Sequence, residues 1–389
     1  MKKLKAFLLA LVLFVLTVSG GGYYYIRKLK LHYQVNNNEV RNSLNFYKFS
    51  NKDIIASNIT KDTTLILGSS ELNSAYDYSE HASNMLNYSD LNVCVVGSGN
   101  YQSIIHTSII GSLGESIKNI PVFLIISPQW FEKNGIESAA FVSRISKEHV
   151  LNLMENPKIS EKNKRKFIDR ILKLSENSSL HKDFQEYKDI YIEKKLSASS
   201  YISVMLKNKK EIFNNKFKFK NTFAKRYEDD DKPYGNDFNL KELLLKADEK
   251  GKKACTNNEF KIENGYYVEY VEPKYKELKD TQKDMSYDES LEYEDLELFL
   301  NISKELGLDL HLISVPVHGI WYDYVGFPKE KRQSYYKKIR EIASSHKTAL
   351  LDLSNHEYTD YFLKDIMHLG WKGWLYIDEE IIKVKNSKK

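Results

Sequence analysis

The sequence predicts an α/β protein with a five-stranded parallel sheet, flanking helices, a mostly helical insertion and one N-terminal transmembrane helix. Three observations lead to this prediction. Short apolar runs alternate with segments of helical spacing, a long stretch rich in Lys, Glu and Tyr interrupts that alternation, and the chain opens on an uncharged apolar segment. Short runs of continuous apolarity are typical of strands buried on both faces, as in parallel sheets.

The first element is the apolar segment AFLLALVLFVLTVSGGGYYYI, residues 6–26, which is long enough to cross a bilayer as a helix. A signal peptide would be cleaved near Ser19, whereas an uncleaved anchor would place the three tyrosines at the membrane interface. The apolar run continues beyond the small residues and ends in the tyrosines followed by Arg27 and Lys28. We therefore expect residues 1–30 to stay attached as a membrane anchor. The basic side chains on its two flanks are balanced, so only the α-amino group favours an inside N-terminus.

After a linker and lead-in at residues 31–60, the first half of the sheet domain is expected at residues 61–140. The runs TTLIL, LNVCVV and PVFLIIS each end at Gly, Ser or Pro and are interpreted as three strands. Between the second and third runs, Ile104, Ile105, Ile109 and Leu113 recur at helical spacing. This order of strand, helix and strand is typical of a parallel sheet.

Residues 141–290 are interpreted as a mainly helical insertion, because segments such as RKFIDRILKLSE and FNLKELLLKADEKGKKA have helical spacing. We expect this insertion at the ligand edge of the sheet, and we expect the acidic run at residues 228–231 to be a solvated loop. The second half of the sheet domain follows at residues 291–389. It comprises a helix ending at Gly307, the strand LDLHLISVPV, the helix EKRQSYYKKIREIASSH and the strand TALLDLS.

Composition excludes several classes of protein. With 389 residues and 42% hydrophobic content, the chain can bury a large core and is not a disordered protein. Cys94 and Cys255 have no spacing typical of a disulfide framework or a metal site. Six of the 58 basic residues lie in residues 1–30, and the remaining 52 are balanced by 53 acids. The net charge of +5 therefore argues neither for nor against a nucleic-acid partner. We predict no nucleic-acid partner, no cofactor and no metal.

The strand ends place candidate chemistry at one edge of the sheet. The carboxyl ends of parallel strands meet there, so the loops Gly68–Ser70, Gly97–Asn100, Ser127–Trp130 and Val317–Gly319 should converge. Near the C-terminus, DIMHLGWKGW supplies Asp365 and His368 ahead of a helix that could hold them at the same edge.

This combination of side chains indicates nucleophilic catalysis by a serine. A serine hydroxyl is a weak nucleophile until an imidazole accepts its proton, and a carboxylate fixes the tautomer of that imidazole. Negative charge that develops on an attacked carbonyl needs fixed donors. The Gln129 amide and a backbone N–H of the glycine loop are candidates for this oxyanion hole, and the sequence does not choose between Gly97 and Gly99.

The arrangement of these motifs resembles the SGNH, or GDSL-like, hydrolase superfamily. Its usual Gly-Asp-Ser-Leu is replaced here by Gly68-Ser69-Ser70-Glu71, which maps the nucleophile to Ser70 and leaves Ser69 as a turn residue. The resemblance implies His368 as general base, Asp365 as the orienting carboxylate and the Ser70 N–H as a further oxyanion donor. The usual asparagine of the third motif is replaced by Gln129.

A narrower resemblance rests on GSSEL, SPQWF, WYDYVG and DIMHLGWKGW, in that order behind one N-terminal span. This set is similar to the DltD family, the D-alanine transfer proteins of teichoic acid D-alanylation in Gram-positive bacteria. The resemblance implies an SGNH-like domain on the outer face of the cell membrane that helps to move D-alanyl groups onto lipoteichoic acid. The implied partners are the membrane O-acyltransferase DltB and, through it, the D-alanyl carrier protein DltC.

Several side chains near these motifs have two interpretations. The candidate substrate contacts are Trp130, His318, Trp321, Tyr322 and Asp323. The aromatic ones could instead close the sheet edge, His318 could be a plain loop residue, and Gln129 could cap a helix.

Three functions fit the motifs. They are an acyltransferase that carries D-alanine on Ser70, a thioesterase or carbohydrate esterase of the same fold, and a non-catalytic docking partner of the D-alanylation machinery. The intact set of Ser70, Asp365 and His368 argues against the third.

Overall fold

The computed structural model describes residues 2–32, 37–76, 79–86, 91–195, 197–222 and 238–387. Helix α1 (Lys2–His32) contains an apolar stretch, Lys3–Tyr24, with a mean hydropathy of 2.1 and no buried residues. Its length and composition are compatible with a membrane anchor. The acidic run at residues 228–231 lies outside the described residues.

Five strands form one parallel sheet in the order β2-β1-β3-β4-β5. They are β1 (Thr63–Leu67), β2 (Asn92–Val96), β3 (Pro121–Ile126), β4 (Asp309–Ser314) and β5 (Ala349–Asp352). Every residue of β1 and β3 is buried, which explains their uninterrupted apolar sequences. The strand order reverses between β1 and β3, the place where ligands bind in open α/β sheets. The predicted fold class is confirmed.

Residues before the sheet form three short helices, α2 (Asn38–Asn42), α3 (Phe46–Phe49) and α4 (Lys52–Ala56). The buried Lys48 ammonium ties this segment to the sheet, because it donates to the carbonyl of Val95 at 2.7 Å, that of Ser43 at 3.0 Å and that of Arg41. Burial lowers the pKa of Lys48 to about 8. α2 and Lys48 therefore contact β2 and α4 packs on the helix Ser103–Leu113, although the sequence of this segment suggests a linker.

The sheet is covered by helices on both faces. α5 (Ala82–Met85) follows β1, and α6 (Ser103–Leu113) is the predicted helix between β2 and β3. Every residue of α6 is buried, because further helices pack over it.

The described part of residues 138–278 contains helices and no strand. The helices are α7 (Ser138–Arg144), α8 (Lys147–Glu155), α9 (Glu161–Leu174), α10 (Leu180–Tyr191), α11 (Ala198–Thr222), α12 (Leu240–Ala254), α13 (Asn264–Tyr266) and α14 (Tyr275–Leu278). α8 packs on α6, and α11 packs on α3 and α8. This segment therefore spreads around the domain and is not a single layer at one edge.

The last helices complete the predicted second half. They are α15 (Glu292–Leu306), α16 (Gly319–Tyr324), α17 (Lys329–His346) and α18 (Trp371–Asn386). α15 ends where the sequence predicts, because Gly307 adopts a left-handed conformation with φ of 66°. α12 packs on α18, so the C-terminal helix is also covered by the insertion.

Candidate active site

Ser70 lies just beyond the carboxyl end of β1, at the first residue of a short 3₁₀ helix, Ser70–Tyr76. Its hydroxyl oxygen is 2.9 Å from His368 Nε2. The hydroxyl of the preceding Ser69 instead donates to the carbonyl of Ser98 at 3.4 Å. The two adjacent serines therefore differ in role, and only Ser70 contacts the imidazole.

Asp365 and His368 share one tight loop. An antiparallel bridge between Leu363 and Leu369 closes this loop, and the Lys364 N–H donates to the His368 carbonyl at 2.9 Å. Asp365 Oδ2 lies 2.8 Å from His368 Nδ1. Hydrogen bonding of Nδ1–H to the carboxylate leaves Nε2 able to accept the Ser70 proton, as in a serine hydrolase triad.

The Asp365 carboxylate is buried, and both of its oxygens accept hydrogen bonds. Its Oδ1 accepts the backbone N–H of Met367 at 2.9 Å and that of His368 at 2.8 Å. Burial by itself would raise the pKa of Asp365, but the hydrogen bonds from the His368 side chain and from these two N–H groups hold the pKa below its ordinary value. Asp365 is therefore ionised at neutral pH and can orient the imidazole.

Glu71 is a buried acid next to Ser70. Its Oε1 accepts the Ser69 N–H at 2.7 Å, and its carboxyl group also interacts with its own backbone N–H. These two N–H groups flank that of Ser70, which makes no hydrogen bond within the described part of the chain. Burial raises the pKa of Glu71 above its ordinary value. Sequence reasoning missed this residue, although an acid that directly follows a buried strand and two serines is an available signal.

The glycine loop after β2 contacts the turn that carries Ser70 at two points. Gly97 has φ of +144°, and a Cβ there would lie 1.8 Å from the Gly68 carbonyl oxygen, so only glycine fits. A Cβ on Gly99 would lie 3.9 Å from Ser70 Cβ. Gly97 is therefore needed for close backbone packing, whereas Gly99 faces Ser70.

His106 on α6 also supports the turn, and sequence reasoning missed it too. Its Nε2–H donates to the Gly68 carbonyl at 3.1 Å, two residues before Ser70. Burial lowers the pKa of His106 to about 3, so this imidazole stays neutral. Its distance of 38 residues from Gly68 explains why no local pattern indicates the contact.

Ser70 and His368 open into a cavity of about 260 Å³. Its other lining residues come from the turn after β1, the segment between β2 and α6, the loop after β3, the start of α7 and the Asp365–His368 loop: Ser69, Asn100, Gln102, Ser127, Gln129, Trp130, Glu132, Gly135, Ile136, Glu137, Ala140 and Met367. Among the described residues, the lining therefore includes none from residues 141–290. Behind the loop that carries Asp365 and His368, the Glu263 N–H donates to the Lys364 carbonyl at 2.8 Å.

The loop after β3 brings Gln129 and Trp130 to the cavity. The Gln129 amide nitrogen lies 3.5 Å from the Tyr322 hydroxyl, which in turn lies 2.9 Å from the Tyr287 hydroxyl. The long first distance leaves the amide donor available to a ligand. Tyr322 is buried, contacts Gln129 and does not itself line the cavity.

Besides Tyr322, the other three predicted substrate contacts outside this cavity lining are His318, Trp321 and Asp323. His318 is buried and caps α16, because its Nδ1 accepts the Trp321 N–H at 3.3 Å. Burial lowers the pKa of His318 to about 4. Trp321 packs against the Phe260 ring with centroids 5.2 Å apart. Asp323 accepts a hydrogen bond from Arg332 at 2.6 Å. Contact of these side chains with substrate stays a prediction.

Comparisons with known proteins agree with one another. The family model described as DltD protein matches residues 41–385. The chain is 34% identical to the Protein DltD of Bacillus subtilis (strain 168) over 334 residues, 82% of each chain. It is 30% identical to the Protein DltD of Staphylococcus aureus (strain NCTC 8325 / PS 47), over 82% of this chain and 80% of the relative. The Protein DltD of Lacticaseibacillus rhamnosus is 24% identical over 322 residues, which span 81% of this chain and 75% of that relative. The chain belongs to the DltD family.

Proposed function

We propose that this protein is an SGNH-type serine acyltransferase that passes D-alanyl groups onto lipoteichoic acid through an ester on Ser70. Membership of the DltD family supports a role in the D-alanylation of teichoic acid. The observation that carries the mechanism is the hydrogen-bonded chain from Asp365 through His368 to Ser70.

In the first half of the reaction, Ser70 Oγ attacks the carbonyl carbon of a D-alanyl donor while His368 Nε2 accepts the hydroxyl proton. Asp365 stabilises the resulting imidazolium. The tetrahedral intermediate then collapses, the bond from the carbonyl carbon to the leaving group breaks, and His368 returns the proton to that group. The product is a D-alanyl ester of Ser70.

Negative charge on the attacked oxygen needs donors near Ser70. We assign this role to the Ser70 N–H, the Gly99 N–H and the Gln129 amide. The Ser70 N–H is uncommitted in the described structure, Gly99 faces Ser70, and Gln129 lines the same cavity. The close packing of Gly97 on Gly68 makes Gly97 the poorer candidate.

In the second half, a hydroxyl of the polyol-phosphate acceptor attacks the ester carbonyl and His368 accepts its proton. Collapse of the second tetrahedral intermediate breaks the bond to Ser70 Oγ, which recovers its proton from His368. Water at the acceptor position would make the same site an esterase or thioesterase, so exclusion of water decides the outcome. No step requires a cofactor.

We place this chemistry on the outer face of the cell membrane, with α1 as a single N-terminal anchor. The apolar length of α1 supports the anchor, and family membership supports the placement. The partners that fit this proposal are DltB, which would deliver the D-alanyl group from DltC, and the lipoteichoic acid acceptor.

Alanine variants produced in cells that lack the native copy test the proposal. Ser70→Ala and His368→Ala should abolish D-alanine esters on lipoteichoic acid at unchanged protein level. Ser69→Ala is the matched control and should retain activity, because its hydroxyl points away from His368. If the protein were instead a hydrolase of these esters, the same two variants would raise the D-alanine ester content of lipoteichoic acid. If cells producing Ser70→Ala esterified lipoteichoic acid normally, catalysis by Ser70 would be contradicted. The non-catalytic docking role would then be the remaining explanation.

A further inference from the structure

Helix α11 carries two separate apolar faces. Val204 and Phe219 are buried on the face that packs against the body of the protein. Four other apolar side chains on α11 are exposed, with exposed fractions between 37% and 63%: Ile202, Leu206, Phe213 and Phe217. These four residues are called the α11 stripe below.

The α11 stripe is continuous along the helix. Its members are separated by four, seven and four residues, spacings that keep side chains on one side of an α-helix. At about 100° per residue, Val204 and Phe219 point away from this side. A stripe of large apolar side chains outside the core is a feature of interaction surfaces, since scattered exposed residues would show no such period.

The charge around the stripe is strongly positive. α11 contains six lysines and a single acid, Glu211. Lys216 pairs with Asp53, and Lys207 pairs with Glu186 at 3.5 Å. The exposed Lys209 and Lys210, which border the stripe, form no ion pair with any other residue that the structure describes. The surface therefore combines apolar side chains with free cationic groups.

The position of α11 links this surface to the membrane and to the active site. α11 lies against α1, the apolar helix compatible with a membrane anchor. Its inner face packs on α3, where the Phe49 ring meets that of Tyr101 at a centroid distance of 5.7 Å. Tyr101 directly follows the glycine loop, so the orientation of α11 is connected through packed side chains to the catalytic edge.

We propose that the α11 stripe lies in the interface of an anionic bilayer, with Lys209 and Lys210 at the lipid headgroups. Apolar side chains flanked by lysines are the composition of helices that lie in a membrane surface. The contact with α1 places this helix beside the point where the chain meets the bilayer. Two membrane contacts fix the orientation of the catalytic domain, which a single helical anchor leaves free to rotate.

Spin labels on the full-length protein in vesicles of phosphatidylglycerol and phosphatidylcholine test this proposal. In the test variant, Phe213→Cys, the label is attached within the stripe. The matched control is Asn214→Cys, which carries the label at the next residue, an exposed position outside the stripe. Cys94 and Cys255 are buried, and the unsubstituted chain measures their background labelling. The measurement is the accessibility of each label to two relaxation agents, oxygen dissolved in the lipid and a nickel complex dissolved in the water. The label at position 213 should be accessible mainly to oxygen, and the label at position 214 mainly to the nickel complex.

Equal exposure of both labels to the nickel complex would overturn the proposal, because the stripe would then lie in water. Protection of position 213 from both oxygen and nickel would also overturn it, because a protein surface would then cover the stripe. In vesicles of phosphatidylcholine alone the difference between the two positions should shrink, since the lysines lose their counter-charge. An unchanged difference would contradict the assignment to an anionic surface. Because these measurements report depth and not activity, they remain informative if Ser70 proves not to be catalytic.

Discussion

At the scale of single residues, we expect Asp365 to decide which nitrogen of His368 carries the proton. Its Oδ2 holds Nδ1–H, and two backbone N–H groups keep the other oxygen in place. In Asp365→Asn the amide can donate to Nδ1 and favour the wrong tautomer. We expect the rate at which a fluorophosphonate labels Ser70 to fall by about 10²–10⁴-fold. An unchanged rate in the folded variant would contradict the role of Asp365.

Glu71 gives a second prediction at this scale. Its carboxyl group accepts the N–H groups on either side of Ser70, and an amide oxygen can accept the same bonds. Glu71→Gln should therefore keep most of the labelling rate at Ser70. Glu71→Leu leaves two donors unpaired and should slow labelling and lower stability by about 1–3 kcal/mol for each donor that stays buried. Equal losses in both variants would indicate that the acid itself, and not its acceptor geometry, is required.

At the scale of elements, the strands and the helix ending at Gly307 could be predicted because their signals are local. Apolar runs, terminal glycines and helical spacing each occupy a few consecutive residues. The meeting of Ser70 with His368 could also be predicted, because a parallel sheet brings strand ends together. Contacts of His106 with Gly68 and of Tyr322 with Gln129 could not, since they join residues far apart in sequence through packing alone.

His318 illustrates an ambiguity that sequence cannot resolve. A histidine at a strand end has the pattern of a site residue, but its Nδ1 is used to cap α16. A histidine at a strand end can either line a site or cap the following helix. Only the direction of its side chain distinguishes these two roles.

The N-terminal helix gives a prediction at the element scale. α1 runs without interruption through the small residues near Gly20 to His32. We therefore expect the membrane-bound protein to retain its N-terminus, with α1 as an uncleaved anchor. Mass analysis of the protein extracted from membranes measures this directly. A mature N-terminus near Gly20 would show that the segment is a cleaved signal peptide.

At the scale of the whole molecule, buried neutral histidines couple folding to pH. His149 on α8 donates to the Phe49 carbonyl at 2.7 Å, and burial lowers its pKa from 6.5 to about 4. Between these values only the unfolded chain gains a proton at His149. This residue therefore removes stability as the pH falls, by about 1.4 kcal/mol per pH unit.

Glutamine can replace the donor of His149 without titrating. Relative to the unsubstituted protein, His149→Gln should gain stability steadily as the pH falls from about 6.5 toward about 4. Denaturant unfolding of the two full-length proteins at a series of pH values measures this difference. Because both proteins contain the same other buried acids and bases, the pH dependence that those groups cause cancels in the difference between the two free energies of unfolding. A difference in free energy that does not change with pH would contradict a buried, neutral His149.

Covalent labelling of Ser70 tests the central claim of an activated serine most directly. A fluorophosphonate reacts when a serine oxygen attacks phosphorus and fluoride leaves, and peptide mass spectrometry then locates the adduct. The Ser70–His368–Asp365 arrangement predicts one adduct on Ser70, its loss in Ser70→Ala and His368→Ala, and its retention in Ser69→Ala. An adduct that persists in Ser70→Ala, or a folded protein whose Ser70 does not react, would contradict this claim.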